Sequence, residues 1–231
     1  MATQAASKEL RHADQMDDED LRLAIYRSFA ETGRAPDLSS DADTRAALRR
    51  LADARHVVLD ADDHILMAHP FASIPLGFAV MGRHTLWWGG CAWDSFAVPH
   101  LVDREPEVLV STLCPGCGAP HAWVVGRGAP PPGDQVAHFL TPTAHVWDDV
   151  VHTCVHQRLF CNVACVDAWL TATGNPKGYV TDLATLWRLA RGWYTGRLDR
   201  GYTRRDPVTA AAYFEEVGLI GPFWGLPDRP M

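Results

Sequence analysis

Apolar residues along the chain first recur at helical spacing and later at strand spacing. Leu21, Ile25 and Phe29 stand at i, i+4 and i+8 behind Asp17, Asp18, Glu19 and Asp20. Acids at a helix N-terminus are favoured by its unpaired N–H groups, so this run predicts a helix to about Thr32, stopped by Gly33. Asp43 is placed to cap a second helix carrying Ala47, Leu48 and Leu51. His56-Val57-Val58-Leu59, the turn Asp60-Ala61-Asp62-Asp63 and Ile65-Leu66-Met67 then predict a hairpin. Met1 to Met16 has no period and predicts a mobile tail.

Strand spacing dominates the middle of the chain. Pro70 and Pro75 mark irregular or edge positions, after which Gly77-Phe78-Ala79-Val80, the turn Gly82-Arg83-His84 and Thr85-Leu86-Trp87-Trp88 predict a second hairpin. Gly89-Gly90 breaks it, and Cys91 opens a short helix expected to end before Pro99. Val108 to Leu113, a tight turn from Cys114 to Gly118, and His121 to Val125 predict a third hairpin. A Gly/Pro loop spans 126 to 133, and His138-Phe139-Leu140 reads as a further strand. Helices are predicted near Val163 to Thr171, Asp182 to Tyr194 and Pro207 to Val217, with the apolar stretch from Gly221 to Pro227 packing on the body. Helices, then a two-stranded wing, then mixed elements make an α+β protein. Its expected division is a tail at 1–16, a winged-helix-like region at 17–82 and a mixed core at 83–231.

Composition narrows the function. The 231 residues are 47% hydrophobic, enough for a sizeable core, and carry a net charge of -7. That balance argues against general nucleic-acid affinity. Arg45, Arg49, Arg50 and Arg55 therefore read as a solvated face in preference to phosphate contacts. No apolar run reaches membrane-spanning length and the start is polar, so no membrane association and a cytoplasmic location are expected. In that setting six cysteines read as reduced thiols or metal ligands.

Candidate chemistry concentrates in Gly90-Cys91-Ala92-Trp93-Asp94. Three residues apart on a helix, Cys91 and Asp94 share a face. A thiol at a helix N-terminus is expected to be the more acidic for it, which sets a soft nucleophile beside a proton donor. Trp87, Trp88, Trp93 and Phe96 are available to line an apolar pocket or to fill a core. Two further patterns involve thiols. Cys114-Pro115-Gly116-Cys117-Gly118 is a C-x-x-C knuckle, and Phe160-Cys161-Asn162-Val163-Ala164-Cys165 opens a helix. Four thiolates on two such knuckles suit tetrahedral zinc and have the layout of a treble-clef finger. Cys154 and His156, with His152 nearby, add candidate ligands or a spare thiol. Phosphate-cradling, nucleophile-elbow, dinucleotide-turn and H-E-x-x-H signatures are missing.

Taken in order, Gly90-Cys91-Ala92-Trp93-Asp94, Val110-Ser111-Thr112-Leu113-Cys114 running into Gly118-Ala119-Pro120, and Leu159-Phe160-Cys161 ahead of Trp169 resemble the organomercurial (alkylmercury) lyase family. The resemblance covers roughly residues 20 to 190. It implies a winged helix packed on a treble-clef-related core, and protonolysis of carbon–mercury bonds to a hydrocarbon and Hg(II) with no required cofactor. It maps Cys91 and Cys161 onto the two mercury-binding thiols, which would also hold the Hg(II) product, and Asp94 onto the acid and base. Cys114 corresponds to a structural cysteine. Partners implied are a small organometallic substrate and a cellular thiol or mercuric reductase as acceptor of Hg(II).

A conflict follows, because zinc held by Cys114, Cys117, Cys161 and Cys165 would deny Cys161 to mercury. The alternative function is accordingly a zinc-binding regulatory or binding homologue without turnover, or a relative using Cys91 and Asp94 in another reaction.

Overall fold

The computed structural model describes residues 17–228, and the expected tail at 1–16 lies outside them. Helix α1 (Asp18–Thr32) starts where Asp17 accepts the Asp20 N–H at 2.6 Å and stops at Gly33, whose φ of 74° few other residues adopt. Helix α2 (Ala42–Asp53) is capped by Asp41, which accepts the Thr44 N–H at 2.8 Å, and not by Asp43, which lies within the first turn. Both helices bury the apolar positions read from their spacing, Leu21, Ile25 and Phe29 on α1 and Ala47, Leu48 and Leu51 on α2.

Strands β1 (Val58–Leu59), β2 (Ile65–Ala68), β3 (Phe71–Ala72), β4 (Phe78–Met81), β5 (Leu86–Gly89), β6 (Glu107–Leu113) and β7 (Pro120–Gly126) form one antiparallel sheet in the order β1-β2-β3-β5-β4-β6-β7. The division expected near residue 82 falls in the turn between β4 and β5, which are paired neighbours from Phe78↔Gly89 to Met81↔Leu86. The hairpin read as a wing is thus the edge of this larger sheet, joined to it through β2–β3 pairing. Trp87 ties the N-terminal helix to the same sheet: it is fully buried, donates Nε1–H to the Phe29 carbonyl at 2.7 Å and stacks on Phe71.

Helix α3 (Ala92–Leu101) packs on the sheet, and nine of its ten residues are buried. A helix apolar all round belongs inside a core. It runs through Pro99 instead of stopping before it, since Pro99 lies in the last turn, where few intrahelical bonds remain to be lost. On its other side lies helix α6 (Leu183–Trp193). Strands β8 (Val136–Phe139), β9 (Arg158–Phe160) and β10 (Tyr179–Asp182) make a second sheet, ordered β10-β8-β9. Between β8 and β9 comes the short helix α4 (Val150–Val155), and between β9 and β10 comes helix α5 (Val163–Thr173). Helix α7 (Pro207–Glu216) and a final turn, Pro222–Trp224, close the core by packing Phe214 and Trp224 edge-on to Trp93. Neither α4, β9 nor β10 was expected from the apolar spacing; each is six residues or shorter.

Candidate active site

Two glycines allow strand β5 to run directly into helix α3. A Cβ on Gly89 would lie 2.1 Å from Ser95 Oγ, and one on Gly90 would lie 2.3 Å from the Asp94 carboxylate. Only hydrogen fits at these positions, which is how the strand end delivers Cys91 as the N-cap of α3. There the Asp94 N–H points at Cys91 Sγ (3.4 Å), and the Cys91 thiol donates to Asp94 Oδ2 at 3.2 Å.

The second sulfur in reach of Asp94 belongs to Cys154, from helix α4. Its Sγ lies 4.0 Å from Asp94 Oδ2 and within hydrogen-bonding reach of Cys91. His69, in the turn between β2 and β3, sets Nε2 3.4 Å from Cys154 Sγ and 4.0 Å from Asp94 Oδ2. Tyr194, at the end of α6, donates its hydroxyl to Asp94 Oδ1. Cys91, Asp94 and Cys154 are 2%, 1% and 3% exposed, so functional groups from four separate elements meet out of water.

Burial divides the labour between the sulfurs. It pushes the Cys91 thiol well up, and Cys154 and the Asp94 charge push the same way, overriding the N–H groups of the helix terminus. Cys91 is consequently the protonated thiol, not the acidic one that its helix position predicts. Cys154 moves in the opposite direction: the Cys91 hydrogen bond holds it below the usual thiol range against burial, with His69 helping. Burial lowers the His69 pKa, yet Asp94 and Cys154 outweigh it and leave it raised. Tyr194, buried beside Asp94, is held well above the usual phenol value and stays a donor.

A cavity of about 590 Å³ opens onto these groups, lined on its reacting side by His69, Cys91, Asp94, Cys154 and Tyr194 and on its apolar side by Trp93, Trp147, Trp193, Phe214 and Trp224. Of the four aromatic residues expected to line a pocket, only Trp93 does so. Trp87 and Phe96 are core residues facing Phe71 and Trp123, and half-buried Trp88 lines a separate surface cleft near Gly33.

Cys161 is not part of this site. It stands at the end of β9, with Sγ 3.4 Å from Cys117 Sγ and 3.4 Å from His121 Nε2, in a group with Cys114 and Cys165. The structure thus brings Cys154, and not the expected Cys161, beside Cys91 and Asp94. Counting would have found it: once the two knuckles claim four cysteines, Cys91 and Cys154 are the two left over. His69 and Tyr194 carry no comparable signal. Cys114 is the acidic thiol of the second group; burial raises its pKa, but the N–H groups of Cys161, Gly116 and Cys117 bring it down to about 7. Of the arginines read as a solvated face, Arg49 and Arg50 are held by Asp63 and Asp18 at 2.7 Å, and Arg55 lies over Trp147. Among the described residues no helix is long and apolar enough to cross a membrane.

Two buried thiols, one carboxylate and an apolar chamber on a mixed α and β fold define a site for a soft metal carrying an organic group. Residues 71–195, more than half of the chain, match the model of the alkylmercury lyase family (MerB). The chain belongs to that family, and its activity is that of a carbon–mercury lyase. The crystal structure of the mercury-bound form of MerB2 has the same fold, with a TM-score of 0.59 and 17% identity over 83% of this chain and 96% of that one. No curated protein matches the sequence.

Proposed function

We propose that Cys154, Cys91 and Asp94 protonolyse the carbon–mercury bond, with His69 and Tyr194 as positioning residues. The observation that carries this reading is the reach of a single carboxylate oxygen, Asp94 Oδ2, 3.2 Å from one thiol and 4.0 Å from the other. Cys154, the more acidic of the two thiols, attacks as its thiolate the mercury of an alkylmercury thiolate and displaces the incoming thiolate. Cys91 then binds the same mercury and passes its proton to Asp94 Oδ2. Two sulfur donors raise the electron density on carbon, and the Asp94 proton is delivered there. The carbon–mercury electron pair becomes the new carbon–hydrogen bond. What remains is a hydrocarbon, an Asp94 carboxylate and neutral Hg(II) bridging Cys91 and Cys154, so charge and protons balance without a redox partner.

The organic group would lie against Trp93, Trp193, Phe214 and Trp224, which exclude water from the nascent carbanion. Two small thiols, or a mercuric reductase, would remove Hg(II) by ligand exchange in a cytoplasmic setting. Helices α1 and α2 with the β1–β2 edge act here as a winged-helix-like buttress of the core, a reading supported by the pairing of Arg49 and Arg50 on α2 with Asp63 and Asp18. The β6–β7 hairpin and helix α5 carry their thiols in treble-clef order. The test is release of hydrocarbon from an organomercurial by wild type, Cys154→Ser and Cys161→Ser proteins. Loss in Cys154→Ser alone supports the assignment, and loss in Cys161→Ser with retention in Cys154→Ser overturns it.

A further inference from the structure

The sulfurs of Cys114, Cys117, Cys161 and Cys165 all lie within 4.8 Å of one another, with Cys117 and Cys161 3.4 Å apart. With zinc–sulfur bonds of about 2.3 Å, the sulfurs of a tetrahedral four-thiolate site are about 3.8 Å apart, so the four groups already stand at near-coordinating separation. Their backbone is shaped for it. The knuckle between β6 and β7 closes through Gly118 N–H to the Cys114 carbonyl and Cys114 N–H to the Ala119 carbonyl, both at 2.8 Å. Gly118 takes a φ of 75° there. Gly116 is pressed against the start of α5 so closely that a Cβ would lie 2.2 Å from the Cys165 carbonyl oxygen. Asn162 caps α5 and accepts the Cys165 N–H at 3.1 Å, which aims the fourth sulfur back at the knuckle.

Packing alone does little to hold this corner. Cys114, Phe160 and Val166 form a small core apart from the main one, and Val166 is the single buried residue of the eleven in α5. A core that small is ordinarily supplemented by a disulfide or a metal; here all four cysteines are free thiols.

We infer that Cys114, Cys117, Cys161 and Cys165 bind one zinc ion as a closed structural site that fastens helix α5 to the β6–β7 hairpin, independent of the reacting sulfurs. Four thiolates converging from two segments leave no open coordination position, which suits a structural zinc and not a substrate. His121 Nε2, 3.4 Å from Cys161 Sγ, can donate to that sulfur as an outer hydrogen bond.

The experiment measures metal in the full chain purified under reductant, then follows Co(II) added to chelator-stripped protein. The expected result is one zinc per chain in the wild type and in Cys91→Ser/Cys154→Ser, with the visible absorption of tetrahedral four-thiolate cobalt after exchange. Zinc should be lost in Cys117→Ser/Cys161→Ser and regained with Cys117→His, which restores a ligand. Folded wild-type protein that binds neither zinc nor cobalt tightly overturns the inference, as does metal that leaves with Cys91 and Cys154 instead. Since no readout is turnover, failure here leaves the assignment of the reacting thiols standing, and the reverse holds too.

Discussion

The chain holds two sulfur clusters that differ in almost every physical respect. Cys91 and Cys154 are buried, with one carboxylate and one imidazole as company and a chamber on their open side. Of the other four thiols Cys117 is exposed, Cys161 and Cys165 are half-buried and only Cys114 is buried, and they face one another and not a carboxylate. Two thiols leave a soft metal under-coordinated and its remaining bond exposed to a proton; four leave nothing to react. Reactivity is thus set by how many sulfurs converge and what else shares the space.

Removing sulfurs one cluster at a time is the strongest way to break this contrast. Cys91→Ser and Cys154→Ser are each expected to abolish hydrocarbon release, whereas Cys161→Ser keeps turnover and lowers thermal stability. Gas chromatography of the hydrocarbon and calorimetry of the same preparations separate the two. Asp94→Asn keeps both sulfurs but removes the proton carrier. It should slow single-turnover cleavage by on the order of 10²–10⁴-fold while still binding Hg(II) stoichiometrically.

A smaller effect is expected from Tyr194→Phe. Losing a hydrogen bond to a buried carboxylate is worth about 1.5–3 kcal/mol, or about 10–100-fold in the proton-transfer step, visible as a fall in kcat. Disrupting the four-thiol corner with Cys117→Ser/Cys161→Ser should leave kcat nearly unchanged and lower Tm by about 2–4 °C per kcal/mol lost.

The mildest probe is pH. Cys154 is lowered from 9.0 and His69 is raised from 6.5. Each shift favours the charged form of its group, thiolate for Cys154 and imidazolium for His69. kcat/KM should rise as Cys154 deprotonates, on a limb below the ordinary thiol value, and fall as His69 loses its proton on a limb above 6.5. His69→Gln should move the rising limb upward. For stability the signs are opposed. The contribution of Cys154 is complete above its unfolded value and lost as pH falls through the folded one, while that of His69 is complete below 6.5 and lost as pH rises through its folded value.

Local pattern by itself determined a good deal of this protein. The spacing of Leu21, Ile25 and Phe29, the turn at Gly82 to His84 and the paired runs on either side of Cys114–Gly118 gave helices and hairpins close to those observed, because each depends on neighbours a few residues away. Cys91 and Asp94 were legible as a pair for the same reason, since one helical turn joins them. Which distant thiol they meet was decided only in three dimensions. Helix α4 carries Cys154 into the core beside Asp94, and the turn out of β9 carries Cys161, seven positions on, to the group of Cys114, Cys117 and Cys165. The one hint in the sequence is indirect, since the C-x-x-C and C-x-x-x-C spacings group Cys161 with three other thiols and leave Cys154 over. Which aromatic residues line the pocket was left open for a related reason: Trp87 and Phe96 are as aromatic as Trp93, but the sheet and helix faces they occupy point into the core. Even the acidity of Cys91 reversed, because burial next to a carboxylate outweighs the field of a helix terminus, and burial is a property of the assembled fold.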